Sequence, residues 1–148
     1  MIQLLFVCHG NICRSPMAEF VMKYLAAQSG REKEFTIASA ATSTEELGHD
    51  IHHGTRRQLV RRGIPFTPRQ AVQLQPEDYD RYDLFIGMDE ENRREMTRIF
   101  GSDPDDKIHL LLEFAGSDRS IADPWYTGRF EDTFEDILEG CTALLEHT

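Results

Sequence analysis

At 148 residues and 40% hydrophobic content, the chain is long enough for one full core, and its make-up is neither disordered nor membrane-embedded. Its formal charge of −10 argues against nucleic acid, which demands basic patches, and no apolar run approaches the ~20 residues of a membrane helix. Three cysteines, two of them five positions apart, make no disulfide framework, so a reduced, cytoplasmic setting without a secretory leader is expected.

Residues 2–7 are continuously apolar after Gln3, as a strand covered on both faces of a parallel sheet would be. A turn-prone segment follows, and Ser15 and Pro16 read as the N-cap and first residue of a helix. Met17, Phe20, Val21, Tyr24 and Leu25 then recur on one helical face, and Gly30 can end it. Phe35 to Ser39 alternates weakly and makes a short strand. Arg56 to Arg62 reads as a helix with Leu59 and Val60 inward and Gly63 as its stop. Across 64–82 the prolines Pro65, Pro68 and Pro76 break any periodicity, and no element is assigned.

Residues 84–88 form the next strand, and Asp89 caps a helix with Glu90 and Glu91 in its first turn and Arg93, Arg94 and Arg98 beyond. Residues 108–112 are a fourth strand, and 113–129 a long loop containing Asp123-Pro124-Trp125-Tyr126. Phe130, Phe134, Ile137, Leu138, Cys141, Leu144 and Leu145 hold the stripe of a closing helix, with Cys141 in the core. This alternation predicts a single-domain α/β fold over 1–148 without linker, tail or repeat. Its core is an open, doubly wound parallel sheet of about four strands with helices on both faces. In such sheets ligands bind beyond the carboxyl ends of the strands, so Cys8, Ser39, Asp89 and Asp123 can converge on one edge.

The stretch from Leu4 to Pro16 carries the chemistry: an apolar strand, a loop, then a helix start. The backbone N–H groups of His9, Gly10, Asn11, Ile12, Cys13 and Arg14 can turn inward as a nest for an anion, reinforced by the positive end of the following helix. Arg14 adds a planar fork that matches tetrahedral phosphate. Cys8 sits at the floor of this cradle. Free cysteine titrates near ~8.5, and helix termini and cations lower that to roughly 3.5–7.5, so one device binds a dianion and activates its attacker. Residues 1–30 carry Arg14 and Lys23 against Glu19 alone, so the site lies in the least acidic part of the chain.

A cysteine that accepts a phosphoryl group needs an acid for the leaving oxygen, and Asp123 is the best candidate. Asp-Pro alone is an ordinary turn starter; with the upstream loop it reads as an acid on a loop stiffened by Pro124. Trp125 and Tyr126 would wall a slot for a phenyl ring. His49, His52 and His53 have no Cys or acidic partners at a ligand spacing and read as a polar surface loop, so no metal is expected.

Cys8-His9-Gly10-Asn11-Ile12-Cys13-Arg14-Ser15-Pro16, followed by Met17-Ala18-Glu19, closely resembles the signature of the low-molecular-weight protein tyrosine phosphatases. Asp123-Pro124-Trp125-Tyr126 is similar to that family's acid loop, and the resemblance spans nearly the whole chain. It implies a cofactor-free phosphatase for phosphotyrosine proteins and small aryl phosphates, working through a cysteinyl-phosphate. Inorganic phosphate, sulfate or vanadate would be ligands of the loop. Catalysis would rest on Cys8, Arg14, Asp123 and Ser15, the last donating to the sulfur. Asn11, Ser39 and Asp89 would hold the loop open, Ile12 would join Trp125 and Tyr126 in the pocket wall, and Cys13 would be a reversible disulfide partner of Cys8.

The chain departs from the family at Ala41, usually glycine, and in the Thr44–His53 segment, which lacks a tryptophan common there. Pro68 stands where a histidine that braces the loop asparagine is usual. A thioredoxin-coupled arsenate reductase shares the loop but needs a further cysteine pair, and only Cys141 lies in the second half. A protein-arginine phosphatase looks to have threonine where Ile12 stands. A silent phosphoprotein-binding module requires neither Cys8 nor Asp123.

Overall fold

The computed structural model describes residues 1–148. Four strands, β1 (Ile2–Cys8), β2 (Phe35–Ala41), β3 (Leu84–Gly87) and β4 (Ile108–Leu110), form one sheet in the order β2-β1-β3-β4, every neighbouring pair parallel. The register pairs Cys8 with Ala41 and Leu4 with Leu84, so the carboxyl ends of β1, β2 and β3 open on the same edge.

Side chains alternate across a strand, and both faces of β1 are apolar because both are covered. Leu4, Phe6 and Cys8 point into the larger core with α1 (Arg14–Gln28) and α5 (Phe130–His147), through Met17, Val21, Phe134, Ile137, Cys141 and Leu144. Leu5 and Val7 point the other way, against Phe85, Ile108 and Met96 of α3 (Glu90–Phe100). Helices on both faces of an open parallel sheet are the doubly wound arrangement expected from the sequence. No helix is long and apolar enough to cross a membrane.

Several local readings are corrected. Ser15 is not the N-cap of α1: the helix begins at Arg14, and the Ser15 hydroxyl turns to the sulfur of Cys8 instead. Helix α2 runs from His53 to Arg61, three residues earlier than its apolar positions indicate, because the His52 ring caps it by accepting from the Gly54 N–H. Thr55, Gln58 and Leu59 face inward, whereas Val60, about 100° further round, is 64% exposed. β2 reaches Ala41, and 64–82 is less irregular than its prolines suggest. Ala41 donates its backbone N–H to the Val72 carbonyl and accepts from the Leu74 N–H, and Pro76–Asp80 forms a 3-10 turn. β4 stops at Leu110 and passes into another such turn at Leu111–Ala115. The loop after it contains the four-residue α4 (Pro124–Thr127).

Close approach of α5 to Leu111 requires Gly140, where an added Cβ would sit 2.4 Å from the Leu111 Cγ. Alanine normally gains about 1 kcal/mol over glycine inside a helix. Here the overlap with a fully buried neighbour costs more, in the range of about 1–3 kcal/mol. Gly140→Ala is therefore expected to lower Tm by about 2–6 °C in a calorimetric scan. A higher Tm would show that Leu111 can give way.

Candidate active site

The loop between β1 and α1 is tied by one buried amide. Asn11 adopts φ 59°, a left-handed conformation that asparagine tolerates better than most residues. Its Nδ2 donates to Ser15 Oγ at 2.7 Å and Ser39 Oγ at 2.9 Å. Its Oδ1 accepts from Arg69 Nη2 at 2.6 Å and from the Val72 N–H at 3.2 Å. Ser39 in turn donates to Glu19 Oε1 at 2.6 Å. Because an amide NH2 only donates, the Ser15 hydroxyl accepts from Asn11, which leaves its own proton free to point at Cys8 Sγ, 3.0 Å away. The N–H groups of Asn11 (3.3 Å) and Ser15 (3.4 Å) also point at the sulfur.

Arg14 is 2% exposed, and a buried guanidinium needs partners. Nη1 donates to Asp89 Oδ2 at 2.7 Å and to the Ile121 carbonyl at 2.8 Å. Nη2 lies 3.5 Å from Asp123 Oδ2. Burial works against the positive charge, but Cys8 and the carboxylates of Asp89 and Asp123 outweigh it and push the guanidinium pKa above its ordinary value. Asp89 performs two tasks. Its Oδ1 caps α3 by accepting from the Asn92 N–H, and its Oδ2 aims Arg14. Asp123 caps α4, with Oδ1 accepting from the Trp125 N–H and Oδ2 turned to the arginine.

Cys8 and Arg14 lie with Asp123, Ile12, Cys13, Gly10, Trp125 and Tyr126 around one cleft at the carboxyl edge of the sheet. Trp125 (56% exposed) and Tyr126 (82%) stand at its mouth. His9 also borders the cleft, and its ring pairs with Glu45 at 2.9 Å. Cys13 is buried. Desolvation, reinforced by Cys8 and Asp123, pushes its thiol up to about 12, so at neutral pH it is protonated.

Every residue expected at the site therefore borders the cleft or the hydrogen-bond chain behind it. Four contributors were missed. Arg69 takes the bracing position that Pro68 leaves empty, one residue along. Its carriage of a forked donor beside a gap in the family pattern was the available signal. Glu19 anchors Ser39, Thr55 Oγ1 donates to the Cys13 carbonyl at 3.1 Å, and Glu46 lines the lip. Glu19 ends the signature stretch without a role assigned to it, and no sequence signal marks the other two. The three histidines do not all read as a polar surface loop either. His52 is half-buried among aromatic rings.

A family described as low molecular weight phosphotyrosine protein phosphatase matches residues 3–148. The low molecular weight protein-tyrosine-phosphatase YfkJ of Bacillus subtilis is 41% identical over 147 residues, covering 98% of this chain and 94% of that protein. Its crystal structure superimposes with a TM-score of 0.95 at 40% identity, over 99% of this chain and 94% of that one. The low molecular weight protein tyrosine phosphatase SP-PTP of Streptococcus pyogenes gives 0.90 at 38% identity, over 99% and 93%.

Two outcomes follow from the geometry. Arg69→Ala removes both hydrogen bonds to Asn11 and is expected to weaken inorganic phosphate binding about tenfold by calorimetric titration. Unchanged affinity would mean that the loop keeps its shape unaided. Iodoacetate at pH 7 should give a single adduct, at Cys8, in intact-protein mass spectrometry. Modification of Cys13 or Cys141, whose thiol burial also holds protonated, would contradict this.

Proposed function

The chain belongs to the low molecular weight phosphotyrosine protein phosphatase family, and as a tyrosine phosphatase of that family we propose that it works through Cys8, Arg14, Ser15 and Asp123. Residues 1–148 act as one phosphatase domain, a reading supported by a family match from residue 3 to residue 148.

The single observation that carries the mechanism is the convergence of Cys8 Sγ, the Arg14 guanidinium and Asp123 Oδ2 on one cleft, with the two latter groups 3.5 Å apart. Nη1 of Arg14 is occupied by Asp89 and Ile121, which leaves Nη2 and Nε for phosphoryl oxygens. The backbone N–H groups of His9 to Arg14 complete the cradle for phosphate, sulfate or vanadate. Cys8 Sγ attacks phosphorus in line. The P–O bond to the aryl group breaks, and its electron pair takes a proton from Asp123, so phenol rather than phenolate departs.

Hydrolysis of the cysteinyl-phosphate runs the same groups in reverse. The Asp123 carboxylate accepts a proton from water, the water oxygen bonds to phosphorus, and the S–P bond breaks. The sulfur then leaves as a thiolate held by the Ser15 hydroxyl and the N–H groups of Asn11 and Ser15. Asn11, Ser39 and Asp89 keep the cradle open. Ile12, Trp125 and Tyr126 grip the flat ring of a phosphotyrosine or small aryl phosphate, and the bulk of Ile12 favours such a ring over a guanidinium. Positive charge and dipoles supplied by the chain balance the phosphoryl group, so no metal or cofactor is required. Three free thiols suit a reduced, cytoplasmic setting. Under oxidation, Cys8 sulfenic acid condenses with the Cys13 thiol, releasing water and shielding the nucleophile as a reversible disulfide.

Cys8→Ser is expected to abolish p-nitrophenyl phosphate hydrolysis while retaining phosphate binding, and EDTA should leave the wild-type rate unchanged. Asp123→Asn should lower kcat by about 10²–10⁴ for phenyl phosphate, with a smaller loss for the better p-nitrophenolate leaving group. An active Cys8→Ser, a chelator-sensitive rate or equal losses on both esters would refute the scheme.

A further inference from the structure

Four segments meet at one imidazole outside the reacting groups. The His52 backbone N–H donates to the Ile12 carbonyl of the phosphate loop at 2.9 Å. Its Nδ1 accepts from the Gly54 N–H at 3.0 Å and so caps α2. One ring face stacks on Phe130, the first residue of α5, with centroids 4.9 Å apart and planes 16° apart. His53 also stacks on the ring, at 4.2 Å and 29°. The indole of Trp125 meets it edge-on at 5.6 Å and 80°. Room for this packing is made by Gly54, where a Cβ would lie 2.6 Å from the Phe130 ring.

We propose that His52 is a positioning residue for the aryl wall, holding the Trp125 indole at a set distance from the phosphate loop through Ile12. The inference rests on the reading of Trp125 as that wall. Trp125 projects from a four-residue helix and is more than half exposed, so few other contacts decide where it stands. An edge-on aromatic pair prefers one separation and angle, and the backbone bond to Ile12 carries that geometry to the cradle floor.

The device works with the ring neutral. Nδ1 must keep a lone pair for Gly54, which places the neutral ring's proton on Nε2. A second proton turns that acceptor into a donor facing another N–H at the positive end of α2. His53 on α2 works against a positive charge on the ring and Glu46 in the preceding loop favours it, while Arg56 on the same helix turns to Phe66 and Asp50. Asp123 stands two residues before Trp125 and Arg129 directly before Phe130. Burial and His53 together hold the pKa of His52 below its ordinary value, against Glu46. Acidification therefore loosens the wall only below the usual histidine range.

Trp125 is the sole tryptophan, so fluorescence excited at wavelengths that the four tyrosines do not absorb reports on it alone. In the unmodified protein its emission should fall on acidification with a midpoint below ~6.5, as the adjacent imidazolium quenches the indole. His52→Phe, which keeps a ring but not the proton, should abolish that step, and His53→Gln should retain it. His52→Asn keeps a cap acceptor and removes the ring. Its KM for p-nitrophenyl phosphate should rise about two- to tenfold with kcat within about twofold, the worth of one aromatic pair. Inhibition by inorganic phosphate, which has no ring, should not change.

An acid step that is missing from the unmodified protein or survives in His52→Phe overturns the proposal. So does an unchanged KM in His52→Asn, or a phosphate inhibition constant that rises with KM. Should His52→Asn not fold, the fluorescence titrations decide alone. Loss of all hydrolysis by the unmodified protein would strike the phosphatase reading instead, and the fluorescence would still judge His52.

Discussion

One carboxamide holds the site together. Asn11 makes two donated and two accepted hydrogen bonds, joining the phosphate loop to β2 through Ser39 and to the 69–72 segment through Arg69 and Val72. A buried amide with its donors and acceptors satisfied is stabilising, whereas one left half-bonded costs the full desolvation of the unpaired group. The same bonds hold a left-handed backbone that a freer loop would relax. They also place the Ser15 hydroxyl 3.0 Å from the sulfur with its proton free to donate, so the surroundings of Cys8 follow from an interaction that never touches a substrate.

Around that knot an acidic chain builds a cationic hole. The net charge of −10 is irrelevant at the cleft floor, because local groups in a poorly solvated pocket outweigh distant screened ones. Burying Arg14 would be costly alone. Asp89 and the Ile121 carbonyl stabilise it, and each is held by its own element, β3–α3 in one case and the loop before α4 in the other. The guanidinium is oriented before any anion arrives, which removes an ordering cost from binding.

Floor and wall differ in stiffness for physical reasons. The floor has buried atoms and a closed hydrogen-bond chain. The wall is one helical turn started by Asp123 and Pro124 and ended by Gly128 in a left-handed conformation, with two exposed aromatic side chains. Few buried contacts mean low local stability. Such a division suits a reaction in which the phosphoryl group must be held within a fraction of an ångström while the remainder of a protein substrate varies.

The fold class and the phosphate-loop residues that meet at the cleft were legible because their signals are local. A strand covered on both faces is apolar throughout, a helix repeats every 3.6 residues, and Cys8 to Ser15 lie within eight consecutive positions. Ser15 illustrates the limit: beside Pro16 it has the form of a helix cap, yet the turned loop makes its hydroxyl a partner of Cys8. Val60 misled similarly, since an apolar residue beside Leu59 satisfies composition but not the angle of the helix. Arg69 reaches Asn11 across 58 residues, and His52 meets Phe130 only because α2 and α5 pack together. Chain order therefore specified the elements and which residues their ends carry to the cleft. The long-range supports, whose partners share no period or spacing, exist only once the sheet register and helix packing bring them within hydrogen-bond reach.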